Sequence, residues 1–327
     1  MRPFEYASPK TKQQAIAMLS KDWSTAVLAG GTDIVPLMKD EIVTPKRLIN
    51  IKGIPDMHAV KSVKGSTVIG SLKTLSELSE VPGWDKQFPI LHEALSDAAS
   101  PQIRNLATIG GNICQRPRCW YFRNGMGLLP KDANGDSLVL KGDNRYHAIL
   151  GNDGPAYFVS PSTIAPVLVA YGALVRLIGP NGVREIELEK FFRIPTHEQA
   201  REHDLAPNEI VTEIVIPSSG PVKAGYYEVR QREAFDWPLA TAAVLLTMDG
   251  STVKSARVVM GHVAPIPWVS KQAADALVGK SITEETAMTA ANAAVAQAKS
   301  LGRNKYKITL AKVAVKRAVL NAAKGGA

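Results

Sequence analysis

The sequence predicts an α+β fold in two domains, and three observations carry that reading. Short β-like runs recur with turn residues between them. Helical segments fall among these runs without the regular alternation of a doubly wound sheet. After a break rich in Ser, Gly and Pro, a strand meander is followed by three helical runs. At 327 residues and 45% hydrophobic content, the chain is long enough for each domain to bury its own core.

The elements follow in order. Ser8-Pro9 supplies an N-cap and a first-turn proline for a helix over "KTKQQAIAMLS". "STAVLA" reads as a strand ending in Gly30-Gly31, "RLINI" as one ending in Lys52-Gly53, and "STVIGS" as one following Lys64-Gly65. "FPILHEALSDAA" is a further helix, and "ALVRLIGPNGVREIEL" is a hairpin around Pro180-Asn181-Gly182. "SSGPVKAG", after "EIVTEIVIP", marks a boundary near Pro217 to Gly225, which gives domains 1–217 and 218–327. Beyond it, "AGYYEVRQ", "LATAAVLLTMDG" and "TVKSARVVMGHV" form a meander with an Asp-Gly turn. Helices are expected to begin near Lys271, Glu284 and Tyr306, so a small antiparallel sheet is backed by helices.

Composition excludes several classes. No apolar run approaches the roughly 20 residues that span a bilayer, and "MRPFEYASPK" lacks the apolar core of a signal peptide, so a cytoplasmic location is expected. Two cysteines, Cys114 and Cys119, cannot build a disulfide framework and fit a reducing compartment. The formal net charge of +9 fits nucleic acid, an anionic cofactor or an acidic partner, but no nucleic-acid module signature accompanies it. From Lys299 onward there are no acids. That tail reads as a helix with Ile308, Ala311, Val315 and Val319 on one side and Lys305, Lys312, Lys316 and Arg317 among the remainder, either a solvated face or a docking surface for an acidic partner.

Two loops carry the chemistry. "VLAGGTDIVPLM" sets two glycines and a small polar pair directly after a buried strand, and a glycine without a Cβ lets backbone N–H groups close on a diphosphate. A short helix after Asp33 would add to the attraction. The pattern is not the G-x-G-x-x-G fingerprint, so a nicotinamide-binding Rossmann domain finds no support. "SPQIRNLATIGGN" repeats the arrangement with Thr108, Gly110, Gly111 and Asn112. Two such loops, about 80 residues apart in this sequence, suit one extended ligand of dinucleotide type gripped from two sides. No nucleophile–base triad or paired-carboxylate arrangement is evident, so no catalytic side chain is assigned.

"AGGTD", "QIRNxATIGGN", "YEVRQREAFDW" and the sheet-plus-helices tail together resemble the FAD-binding subunit of the xanthine dehydrogenase family of molybdenum hydroxylases. Within it, "CQRPRCWYFRNG" and "RYHAILG" are most similar to the flavoprotein subunit of periplasmic-type aldehyde oxidoreductases. The resemblance implies an FAD-binding domain of the vanillyl-alcohol-oxidase/PCMH type, with an inserted loop over about 115–156, and a C-terminal domain like that of CO dehydrogenase flavoproteins. It implies a first FAD loop from Val27 through Leu28, Ala29, Gly30, Gly31, Thr32 and Asp33 to Ile34, and a second of Thr108, Gly110, Gly111 and Asn112. Thr163, beside Ile164, stands where the family commonly has an acid, so its hydroxyl can hydrogen-bond the cofactor without charge, and Glu228 stands where relatives usually have lysine.

The resemblance also implies partners: a small subunit with [2Fe–2S] clusters and a large molybdopterin subunit that oxidises an aldehyde or N-heterocycle, with this FAD passing electrons to an external acceptor. Export of the assembled complex on a partner's signal is the alternative to a cytoplasmic location. A stand-alone FAD-dependent oxidoreductase and a flavin-free assembly subunit are the rival readings. The segment from Cys119 to about Pro155 is similar to a loop that binds a [4Fe–4S] cluster in some branches, which needs four thiolates. "GMGLLPKDANGDSLVLKGDNRYHA" supplies none, and His147 is the only histidine nearby, so neither a cluster nor another metal is expected.

Overall fold

The computed structural model describes residues 1–232 and 235–325, so Glu233 and Ala234 of the "YEVRQREAFDW" run and the last two residues lie outside it. Its strands form three sheets. β1 (Glu5–Ala7), β2 (Thr25–Leu28) and β3 (Arg47–Asn50) make a small parallel sheet in the order β1-β3-β2. β4 (Val60–Val63), β5 (Ser66–Gly70), β6 (Leu174–Gly179), β7 (Gly182–Glu187) and β8 (Ile210–Ile216) form an antiparallel sheet in the order β4-β5-β8-β6-β7. β9 (Lys223–Val229), β10 (Ala240–Asp249), β11 (Thr252–Gly261) and β12 (Trp268–Val269) make the antiparallel meander.

The mixed helix-and-sheet class is as expected, and β6 and β7 pair across Pro180-Asn181. The first helix differs. It spans Lys12–Ala17 and is capped by Thr11, whose side chain accepts from Gln14 N. Ser8 and Pro9 lie a turn upstream, because a hydroxyl caps best where the amide three residues on is left without a helical partner. The helix over "FPILHEALSDAA" runs from Pro89 to Asp97.

β10 reads as a continuous apolar run because it is covered on both faces. Ala240, Ala242, Val244 and Leu246 join the core made with the C-terminal helices, while Ala243 and Leu245 join the main core of the first domain. The helices behind it are Lys271–Leu277, Glu284–Ala294 and Tyr306–Lys324. On the last, Ala311, Ala314, Val315, Ala318, Val319 and Ala322 are buried, together with Lys307, which the apolar pattern did not include. Lys316 is paired with Glu284.

The inserted segment is stitched to the chain just ahead of that helix. Asn144 donates to Leu301 O at 2.7 Å and accepts from Arg303 N at 2.9 Å. Asn152 donates to Lys299 O at 2.9 Å, and Asn304 donates to the carbonyls of His147 and Ala148 at 3.2 and 3.0 Å.

Candidate cofactor site

The first glycine loop leaves β2 at Leu28 and enters a short helix, Ile34–Lys39, at Asp33. Within the described residues none of the backbone N–H groups from Ala29 to Ile34 has an acceptor in the chain. Consecutive amides left open in this way form a concavity suited to an anion. Gly31 takes φ +78, which turns the chain here, and a Cβ on Gly30 would lie 1.9 Å from Leu106 O. Gly30 is therefore needed for the close approach of the segment that leads into the second loop.

The second loop is built differently. Thr108 caps the helix Ile109–Ile113, accepting Gly111 N at 3.1 Å. Ile109 N donates to Lys73 O at 2.9 Å, Gly110 N to Ser71 O at 2.9 Å and Asn112 N to Thr108 O at 2.8 Å. Its amides are thus committed within the fold, so it offers a ligand surface and shape while the first loop offers hydrogen-bond donors.

Both loops line one cavity of about 420 Å³, a volume within the range of small-molecule sites. On its wall stand Val27, Ala29, Gly30, Gly31, Thr32, Asp33, Ile34, Thr108, Gly110 and Gly111. Four other expected residues are not on it. Leu28 packs with Met38 and Leu48, and Ile164 is fully buried in the main core. Those two side chains are apolar, and the family resemblance placed them by position in the chain. Asn112 turns its Oδ1 to the Ser162 hydroxyl at 2.6 Å, and Thr163 is buried at 6% exposure beside it.

Two arginines on the wall were missed in the sequence. The Arg201 guanidinium lies 3.9 Å over the Trp23 ring. Burial, then repulsion from Arg116, lowers its pKa to about 10, so it stays charged at neutral pH. Arg116 is paired with Glu202. Burial works to raise the Glu202 carboxyl, but Arg116, His203 and Arg201 outweigh it and hold it below its usual range. Paired with arginines off the wall, the carboxylates Asp33 and Glu209 also line the cavity, beside Arg116 and Arg201. Both arginines sit in irregular segments where no periodicity signals them.

Asp33 has a role outside the cavity. Its carboxylate does not cap its own helix. It accepts Arg116 N at 2.8 Å and the Arg123 guanidinium at 2.7 Å, with Arg118 at 3.2 Å. The inserted segment is thereby strapped to the first loop.

Cys114 lines the cavity, but burial pushes its thiol up to about 12. Cys119 lies 3.1 Å from His147 Nε2, and burial raises its pKa too. Among the described residues no three His, Cys, Asp or Glu side chains converge to hold a metal ion, so the residues present do not fit a four-thiolate cluster. Glu228 is occupied within the fold, accepting from the Tyr226 hydroxyl and from Arg230 Nε at 2.6 Å.

Open amides beside a glycine turn, with Arg116 and Arg201 on the same cavity wall, suit an anionic nucleotide cofactor. The comparisons make the class particular. Residues 2–219 match the family described as FAD binding domain in molybdopterin dehydrogenase, and residues 225–322 match the CO dehydrogenase flavoprotein C-terminal domain. The carbon monoxide dehydrogenase medium chain of Hydrogenophaga pseudoflava is 32% identical over 98% of this chain and 96% of its own. The aldehyde oxidoreductase FAD-binding subunit PaoB of Escherichia coli (strain K12) is 31% identical over 95% of this chain and 96% of its own. A solved carbon monoxide dehydrogenase from Hydrogenophaga pseudoflava superposes with TM-score 0.74 at 30% identity, covering 99% of each chain. The chain belongs to the FAD-binding subunit family of molybdenum hydroxylases, as the motifs implied.

Proposed function

We propose that this chain is the FAD-carrying electron-transfer subunit of a molybdenum-containing hydroxylase or dehydrogenase that acts on an aldehyde or N-heterocycle. On this reading it takes electrons from [2Fe–2S] clusters on a small partner subunit, molybdopterin sits on a large one, and an external acceptor receives the electrons. The division into an FAD-binding domain, 1–217, and a C-terminal domain, 218–327, belongs to the same reading, as does a cytoplasmic location. The observation that carries it is the run of six open amides, Ala29 to Ile34, on a loop that lines a cavity shared with Arg116 and Arg201.

Each residue has a task. The amides of the first loop hold the diphosphate, and Arg201 balances its charge. Gly30 and Gly31 give the backbone its path, and the strap from Asp33 to Arg118 and Arg123 holds the insertion against it. FAD, when bound, supplies chemistry in one-electron and two-electron steps. Stopped-flow mixing of the FAD-loaded chain with its reduced small subunit, without oxygen, tests this. Flavin bleaching within milliseconds to seconds is expected, and an unchanged flavin spectrum would overturn the assignment.

A further inference from the structure

Lys307 stands at the start of the last helix and is 1% exposed, yet no carboxylate among the described residues pairs with it. Its ammonium donates instead to three carbonyls, those of His262 at 2.8 Å, Tyr146 at 3.1 Å and His147 at 3.2 Å. An ammonium has three donors and no acceptor, so donors and acceptors match one to one. Burial lowers its pKa to about 7, and the carbonyls oppose that, because they accept from the charged form and offer nothing to the lone pair of a neutral amine. Carbonyl oxygens turned on one point, with no carboxylate among them, are the donor set that holds a large monovalent cation such as potassium.

The oxygens belong to two segments. His262 follows β11 and takes φ +61, a left-handed conformation that is uncommon outside glycine. Tyr146 and His147 lie in the insertion, in a run whose carbonyls are all taken up from one short stretch of chain. The Tyr306 hydroxyl donates to Arg145 O at 3.1 Å, and Asn304 takes the carbonyls of His147 and Ala148. Asn304 and Tyr306 are neutral, and of these three holders Lys307 is the one that also reaches the end of β11.

From this run the hold passes to the cofactor loop. Trp120 packs on Tyr146 and His147, with ring centroids 5.6 and 6.0 Å apart, and donates to Asp143 O at 3.1 Å. Close to it in the chain, Arg118 and Arg123 meet Asp33.

We propose that the three carbonyls form a monovalent-cation site whose occupant is the chain's own Lys307 ammonium, and that this tethered cation is the positioning residue that seats the insertion and, through it, the first glycine loop. The effect on that loop rests on the function proposed above, and the cation site does not. A neutral side chain of the same length leaves three buried oxygens without donors, each at a cost. Charge and donors, more than bulk, are therefore what the site requires.

Lys307→Ala and its rescue test this in the FAD-loaded full chain near pH 6.5, below the pKa of the lysine. The variant is expected to melt about 5 °C or more lower and to release FAD about threefold faster. Propylammonium chloride, which returns the stem and the charge that the substitution removes, is expected to restore about half or more of the lost melting temperature and to slow flavin release. Propan-1-ol, of similar size but uncharged, is expected to restore far less at the same ionic strength. An unchanged melting temperature, no rescue by propylammonium, or equal rescue by the alcohol would overturn the cation site. A rescued melting temperature with flavin release unchanged throughout would overturn the positioning role. If Lys307→Ala does not fold, Lys307→Met keeps most of the bulk and is read by hydrogen exchange: lost protection over residues 145–152 with β10 still protected is expected, and full protection there would overturn the proposal. A chain that takes up no FAD overturns the proposed function, while the melting temperatures still decide the cation site.

Discussion

Arg123 donates from Nη2 to Oδ1 of Asp33 at 2.7 Å, across 90 residues of chain. The partners are 17% and 16% exposed. The Asp33 carboxylate thus holds the insertion, while the residue lines the cavity with its neighbours in the first loop.

Asp33→Asn should loosen the strap. It leaves Arg118 and Arg123 without their counter-charge in a part-buried setting, at a cost of about 2 kcal/mol. A lower melting temperature and faster flavin loss are expected, and Arg123→Gln on that background should add little. A full additive effect of the second change in a thermal double-mutant cycle would refute the pairing.

The glycines should separate by role. Gly30→Ala would drive a methyl into the Leu106 carbonyl and should cost about 3 kcal/mol or more in folding. Gly31→Val meets a φ of +78 and should purify with little flavin. At Gly111 an added Cβ meets only the Thr108 hydroxyl at 3.0 Å, so Gly111→Ala should keep most of its FAD. Flavin absorbance per chain and melting temperature decide, and loss of flavin in Gly111→Ala alone would reverse the assignment of the loops.

Arg201→Gln should weaken FAD binding by about tenfold, the scale of one charge-assisted contact. The salt dependence of the dissociation constant should also become shallower. Calorimetric titration of the apoprotein at two ionic strengths measures both, and an unchanged affinity would remove Arg201 from the diphosphate.

Acid should unfold the protein early. Burial, the leading cause in each case, lowers His147 and His203 from 6.5 to about 4 and His262 to about 3. Their unfolded counterparts take up protons that the native state refuses, so the stability they contribute is complete above pH 6.5 and lost as pH falls toward 4. Urea midpoints should drop between pH 6.5 and 4.5, and His203→Gln should flatten the slope. A midpoint unchanged across that window would exclude this account.

Legibility in the sequence followed locality. β10 was readable because burial on both faces leaves a plain apolar run, and the three C-terminal helices begin at Lys271, Glu284 and Tyr306, as their helical runs suggested. Lys307 was not, since a pattern of apolar residues counts any lysine as outward, and nothing local shows three carbonyls waiting for it. The glycine turns were visible, but whether their amides were open depended on Ser71 and Lys73, more than 30 residues away in the chain. Thr163 and Ile164 were placed by resemblance, and only packing shows which side chains reach the cavity wall.

The bonds that join Asn144, His147 and Asn152 to residues 299–304 set an order of events during synthesis. A ribosome adding about 5–20 residues per second completes both glycine loops well before the stretch that steadies the insertion has been made. Until that stretch leaves the exit tunnel, the insertion lacks its anchors and the Asp33 clasp is held from one side only. The finished chain, and not the nascent one, is therefore the form that can keep its cofactor, and a stop codon shortly before residue 299 would release an N-terminal product whose flavin loops are intact in sequence but poorly fastened.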